Sequence, residues 1–222
     1  MARMRPMASP EAPRLEEERS ALALDGLEAG ALLEAVHVTG ASLADARAAG
    51  VTIAEAELED VDLSGARLAG LRVRDALVTR GNLANLAAPE LSLARVVVSG
   101  ARLTGASWTR GSIGDVVFRD CRIDLATFAG TTFERVTFDG CRLTQTDFRE
   151  ALLRAVRFEH CDLTEADLAG VRLDGCELRS CTLDAVSGLE RLRGAAMPWA
   201  DIVGNAGALA TALGIRLLDE ER

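Results

Sequence analysis

The chain has no lysine and no tyrosine, and only six Phe and two Trp among 222 residues. All 25 basic residues are therefore Arg, and 34 acids outnumber them, for a net charge of −9. This balance argues against nonspecific binding to nucleic acid or to anionic membrane, both of which need a basic face. No run of about 18 apolar residues is present, so no membrane-spanning helix is expected. The opening stretch MARMRPMASPEAPRLEEERS carries Arg but no apolar segment, unlike a secretory leader. Its three Pro and its acidic cluster predict a disordered tail over residues 1–20. Five Cys, an odd number without an export signal, read as reduced thiols in the cytoplasm. Close-set CxxC or HxxxH spacing is absent, as are a nucleophile elbow, a Walker loop and a dinucleotide fingerprint. His37 and His160 stand alone. The expectation is a non-catalytic protein with no metal, no cofactor and no catalytic residues.

What the sequence does contain is a period. In CRLTQTDFREALLRAVRFEHCDLTEADLAG, residues 141–170, large apolar residues recur at Leu143, Phe148, Leu153, Phe158, Leu163 and Leu168. An interval of five fits neither a helix nor a strand. Stepped both ways it holds from Leu33 to Leu183, giving 31 consecutive five-residue units over residues 31–185. All six Phe and Trp108 fall on the apolar centre. The place two before it takes only Ala, Val, Leu, Gly, Thr or Cys, and holds all five Cys. The residue between is mostly polar, as in Asp62, Asn82, Arg142, Asp162 and Asp167. The last place is often Gly, which tolerates the dihedrals of a corner. Each unit thus predicts two inward side chains, one small and one large, followed by an outward corner.

ADLAG at residues 166–170, VDLSG at 61–65 and ARLAG at 66–70 resemble the A(D/N)LXX unit of the pentapeptide-repeat family. The likeness covers about 70% of the chain. It implies an all-β solenoid, a right-handed quadrilateral parallel β-helix with four units per coil. Twenty residues per coil would stack residue n on residue n+20, about 4.8 Å apart, in roughly eight coils. The columns agree: Leu43, Leu63, Leu83 and Leu103 share one, and Phe118, Phe138 and Phe158 another. The β-helix is expected over residues 21–187, with the regular units at 31–185. Leu22, Leu27 and Leu32 keep the interval one residue out of phase and predict an irregular first coil or a cap. The undersized centres Ala48 and Ala88, with Pro89 beside the second, predict a dent or bulge.

The repeat fails at Gly188, and residues 188–222 form a C-terminal segment. GLERLRGAAM predicts a last strand, and residues 198–213 a helix from Pro198 to just before Gly214. Trp199, Ile202, Val203, Leu209 and Leu213 share its apolar stripe. Two roles stay open for that stripe. It can cap the open edge of the coil stack, or it can also join two copies end to end. The family resemblance, which includes members that dimerise there, implies a homodimer.

Cys121, Cys141, Cys161 and Cys181 form a column in which metal or disulfide is conceivable. Ala, Val and Thr at equivalent places favour small core fillers. Acids cluster in EAELEDVD, residues 55–62, and again near residue 165. The candidate acidic surface is Glu55, Glu57, Glu59, Asp60, Asp62, Asp162 and Asp167. The column Glu55, Asp75, Arg95, Asp115 and Arg135 predicts ion pairs between coils. Two functions follow. In one, the rod presents its surface to a protein partner. In the other, the resemblance implies a DNA mimic that binds DNA gyrase or topoisomerase and modulates or protects it, as in quinolone or toxin self-resistance. Direct nucleic-acid and membrane binding are expected in neither.

Overall fold

The structure is a computed structural model that describes residues 7–15, 18–24 and 26–216. Parts of the expected tail and of the C-terminal segment therefore lie outside the described residues. The first and third places of nearly every unit are buried, and the second, fourth and fifth face outward. Six long strands follow from this alternation: β1 (Ser20–Ala21), β2 (Leu32–Glu34), β3 (Val36–Thr39) and β4 (Arg47–Ala49) lead into the first of them, β5 (Thr52–Glu59). After β6 (Arg67–Ala69) come β7 (Arg72–Thr79), β8 (Ser92–Ser99), β9 (Ser112–Arg119), β10 (Thr132–Asp139) and β11 (Leu152–Glu159). The short β12 (Arg172–Asp174) and β13 (Glu177–Arg179) close the series; the long members are thus β5 and β7 to β11, six in all, with β2 and β3 together in the place of a seventh. Pairing is parallel throughout, and from β2 to β13 each residue meets the one twenty further on, as in Phe118↔Phe138 and Leu153↔Leu173. The chain is a parallel β-solenoid of about eight coils. Each long strand runs over two sides of a coil. The other two sides are turns joined by single bridges such as Asp62↔Asn82 and Ser107↔Thr127, apart from the short ladder of β4 on β6.

The corners are left-handed. Every fifth residue from Gly30 to Ala185 has positive φ, and 21 of these are not Gly. The left-handed region costs a non-Gly residue roughly 1–2 kcal/mol. The repeating ladder, rather than glycine, imposes the corner, even on Leu125 at φ 59° and Ala155 at φ 51°.

The polar second place has a local task on the turn sides. Its side chain accepts the N–H of the residue two further on, as Asp62 does from Ser64 (2.9 Å), Asp147 from Arg149 (2.9 Å) and Asp167 from Ala169 (2.9 Å). This Asx-type turn satisfies a donor that the coil ladder leaves out. In LAAPE the second place is Ala87, which offers no acceptor, and Pro89 removes the donor. Contrary to expectation, no bulge forms there. Ala87 bridges Arg67 and Ser107 in regular register, and Leu86 is fully buried at the usually small place.

The bore changes character along its length. Phe118, Phe138 and Phe158 stack with ring centroids 4.9 and 5.1 Å apart and planes within 7° and 4°. Phe128 and Phe148 stack alongside at 5.4 Å. Below Trp108 the bore is aliphatic, and a cavity of about 40 Å³ lies among Leu, Ile and Val side chains with Trp108 at its edge.

The first coil is irregular, as expected, and the C-terminal end differs from expectation. Ser20–Ala21 pairs Val36–His37 with an offset of sixteen, so the first coil is short. Leu22, Leu24 and Leu27 pack on the core there, whereas Leu32 points outward and Leu33 inward. At the other end Leu189–Leu192 is a 3₁₀ turn instead of a strand, and only Ala196 bridges back to Glu177. The expected single helix is two, α1 (Trp199–Gly204) and α2 (Ala206–Ala212), broken at Asn205. Asn205 sits there because its side chain completes the last coil. It accepts from Leu183 N–H (3.2 Å) and donates to the Cys181 carbonyl (3.2 Å), and Asp201 accepts from Ser180 N–H (2.7 Å).

Candidate functional site

All of the varied chemistry lies on the outside of the rod. Number the four sides by the units at residues 51–55, 56–60, 61–65 and 66–70. Over residues 31–185 there are 23 acids and 17 Arg. On the first side acids and Arg are equal at six each, and on the fourth at four each. The second side carries seven acids against four Arg, and the third six against three. The whole excess of negative charge therefore falls on two adjacent sides.

The seven acids picked from the sequence are not brought together. Glu55 is on the first side, Glu57, Glu59 and Asp60 on the second, Asp62 and Asp162 on the third, and Asp167 on the fourth. Asp62 and Asp162 share a column but stand five coils apart, about 24 Å. Most are also partnered. Arg80 holds Asp60 through two hydrogen bonds of 2.9 Å and reaches Glu59 at 2.5 Å. That guanidinium keeps the Asp60 carboxyl below the ordinary carboxylate range. Arg19 pairs with Glu57 (2.7 Å), and Arg74 lies 3.6 Å from Glu55. Asp62, Asp162 and Asp167 are the turn acceptors described above or their equivalents, Asp162 binding Thr164 N–H at 3.0 Å and its hydroxyl at 2.6 Å. The Ser64 and Thr164 bonds hold Asp62 and Asp162 below the usual range.

The expected charge column is present and partly buried. Arg95 makes two 2.6 Å hydrogen bonds to Asp75, and Arg135 two of 2.7 Å to Asp115. Asp75 and Asp115 are the buried acids of the column, 4% and 9% exposed, and these guanidinium bonds push both carboxyls down. Sequence reasoning placed this ladder but not what else touches it. The Glu11 N–H donates to Asp115 (3.1 Å) and the Arg14 N–H to Asp75 (3.0 Å). Residues 7–15 thus lie along the corner, where a free tail was expected.

The Cys column does more than fill space. Each of the five thiols donates to the carbonyl 23 residues back, Cys141 to Phe118 and Cys161 to Phe138 at 3.4 Å. Thr131 and Thr146 make the same bond from the same place, to Trp108 (2.7 Å) and Ile123 (3.0 Å). All five Cys are unbridged and buried. Burial pushes the Cys176 thiol up, away from the nucleophilic thiolate. No group of three metal-ligating side chains occurs among the described residues. His37 lies on the outside near Glu59 (3.8 Å), and His160 near Asp139 (3.4 Å).

The C-terminal stripe divides. Leu209 packs on the core with Ala208 and Ala212, while Trp199 (77% exposed), Ile202, Val203 and Leu213 (73%) face solvent. The missed capping residues are Asp201 and Asn205. Their signal was a polar residue inside an apolar stripe, next to the Gly204 and Gly207 that weaken the helix.

Two family models match, one described as pentapeptide repeats over residues 30–79 and one as a pentapeptide repeat region over residues 111–187. The chain belongs to the pentapeptide-repeat family. The stretch between the matches, residues 80–110, is where Leu86, Ala88 and Pro89 depart from the usual unit. None of the curated proteins matches the chain in sequence. Among solved structures it is similar to a trypsin-treated form of QnrB1, a plasmid-mediated fluoroquinolone resistance protein, at 14% identity and a TM-score of 0.53, covering 84% of this chain and 100% of that one. HetL, a pentapeptide repeat protein involved in heterocyst differentiation regulation in the cyanobacterium Nostoc sp. strain PCC 7120, is 20% identical, with 78% of this chain and 92% of HetL covered and a TM-score of 0.45. At these identities the likeness is one of fold. Among the described residues no helix is long and apolar enough to cross a membrane.

Proposed function

We propose that the chain is a non-catalytic, cytoplasmic rod whose sides bind another protein. The observation that carries this reading is the division of chemistry between inside and outside. The inward places are apolar or hydrogen-bonded within the coil, and all 40 charges of the repeats occupy outward places, where only Asp75, Asp115 and Glu177 are covered by neighbouring groups. Solenoids of this build serve as extended binding surfaces. The β-helix is taken as residues 21–187 and the cap as residues 188–222. We assign to that cap a second copy of the chain, because Trp199, Val203 and Leu213 expose apolar surface at the end of the rod axis. Sedimentation of the unaltered chain and of Trp199→Ser/Leu213→Ser tests the pairing. A monomer at all concentrations would remove it.

The acidic excess on two adjacent sides favours one specific partner class, a protein with a basic duplex-binding groove, and DNA gyrase is the first to try. The fold likeness to a fluoroquinolone resistance protein supports the choice, while Arg80 and the turn bonds weaken the acids first picked. Gyrase supercoiling is measured while the protein is titrated, with and without a fluoroquinolone, at two salt concentrations. Inhibition, or relief of drug-induced cleavage, that fades at higher salt supports electrostatic competition for the groove. No effect at large molar excess sinks the gyrase reading, and affinity capture then identifies the partner.

A further inference from the structure

We propose that the corner between the first and second sides is a binding site for an extended, proline-containing peptide, that residues 7–15 are its resident ligand, and that a partner's segment of the same chemistry exchanges with them. This rests on the reading of the rod as a partner-binding surface, and names the place and the recognised chemistry.

The geometry matches in period. Donors three residues apart, Glu11 and Arg14, meet acceptors two coils apart, Asp115 and Asp75. Three residues of polyproline II helix advance about 9.3 Å, and two coils rise about 9.6 Å. Each donor directly follows a proline, Pro10 or Pro13, in a Pro-Glu-Ala-Pro run. Burial keeps the same period: Met7, Pro10 and Pro13 are half-buried, and the residues between them are exposed. The Glu11 and Arg14 side chains, also three apart, pair with each other at 3.0 Å on the solvent side. A segment of three-residue period thus lies along a two-coil repeat, with one face on the rod.

The corner is shaped for it over the same coils. The outward second place of the second side is aliphatic at Leu77, Val97 and Val117, and polar or charged in the coils on either side. Across the corner, Ala94 and Gly114 leave the fourth place of the first side low. Carboxylates set two coils apart, with an apolar strip on one side and small residues on the other, recognise backbone N–H groups and proline rings rather than a particular side chain. The resident segment is also tethered, by the Arg19–Glu57 pair and by the Ser20–Ala21 strand. Its local concentration lets a weak contact hold until a competitor of comparable chemistry arrives.

Amide exchange at Glu11 and Arg14 is followed by NMR on the full chain. Protection of about tenfold or more over a free peptide of residues 7–15 is expected. Pro10→Gly/Pro13→Gly, which leaves the coils untouched, should bring exchange to the peptide's rate. Added in millimolar amounts to that variant, the unaltered 7–15 peptide should shift the Leu77, Val97 and Val117 amides saturably, and Asp75→Ala/Asp115→Ala in the same background should abolish the shifts. Peptide-like exchange in the unaltered chain would overturn the docked segment. Absence of saturable shifts in the proline variant would overturn the site. Dimers of the unaltered chain that the peptide dissolves would make a second copy the occupant and overturn the partner. None of these failures touches the gyrase or capture outcomes, so the two readings fail separately.

Discussion

The two halves of the bore meet the same requirement, a filled square coil, with different side chains and different success. Above Trp108 six of the fifteen centres are Phe, and their flat rings stack at about the rise of one coil, so a column of them fills itself. Below Trp108 the centres are Leu, Ile, Val and Ala. Branched aliphatic side chains cannot stack face to face, and a cavity of about 40 Å³ remains among them. The ladder is equally regular in both halves, with the same twenty-residue register and the same left-handed corners. Backbone periodicity therefore does not demand perfect packing. It demands only that each centre be apolar and fit inside.

The sharpest test of this contrast removes one centre from each half. Phe138→Ala, taken from the middle of the stack, should cost about 3–5 kcal/mol, and Leu93→Ala beside the cavity about 2–3 kcal/mol. Denaturant unfolding followed by circular dichroism reads both, and equal losses would erase the contrast. Gly111 stands where the halves join. A Cβ there would lie 2.8 Å from the Leu91 carbonyl oxygen, a backbone atom. Gly111→Ala should cost about 1–3 kcal/mol by forcing adjacent coils apart, measured in the same way. Adding a methylene should then have opposite signs in the two halves. Val98→Ile, at the cavity wall, should stabilise by up to about 0.8 kcal/mol. Val116→Ile, in the filled half, should destabilise by about 1 kcal/mol or more. A loss in both would mean that the cavity wall does not accept the extra carbon. The smallest effect belongs to the corners, which the halves share. Leu125 is 58% exposed with φ 59°, so Leu125→Asn should stabilise by about 0.5–1 kcal/mol through relief of left-handed strain. No change in melting temperature would show that the ladder absorbs the strain.

Legibility divides along the same line between repeat and exception. The centres, the small inward places and the twenty-residue columns could be read because the repeat brings chemically alike residues into register. The charge ladder at Asp75, Arg95, Asp115 and Arg135 was legible for the same reason. The acidic surface was not. Adjacent letters such as Asp60 and Asp62 fall on different sides, and Asp62, Asp162 and Asp167 spend an oxygen on a turn N–H. The docking of Glu11 on Asp115 joins residues 104 apart and outside the repeat, so no period announces it. The C-terminal helical segment was legible from its apolar stripe, but the break at Asn205 was not, because its reason is an unfilled ladder bond at Leu183.

By itself the sequence determined the coil. A five-residue period with two inward places calls for a closed stack that buries both, and with the four units per coil that the family resemblance implies, the register follows from counting. Only the tertiary structure decided the pairing of each charge, the division of the C-terminal stripe into packed and exposed residues, and the seat of residues 7–15. Those depend on which groups come within a few ångströms of each other across the surface, a distance set by the finished stack and carried by no local pattern of residues.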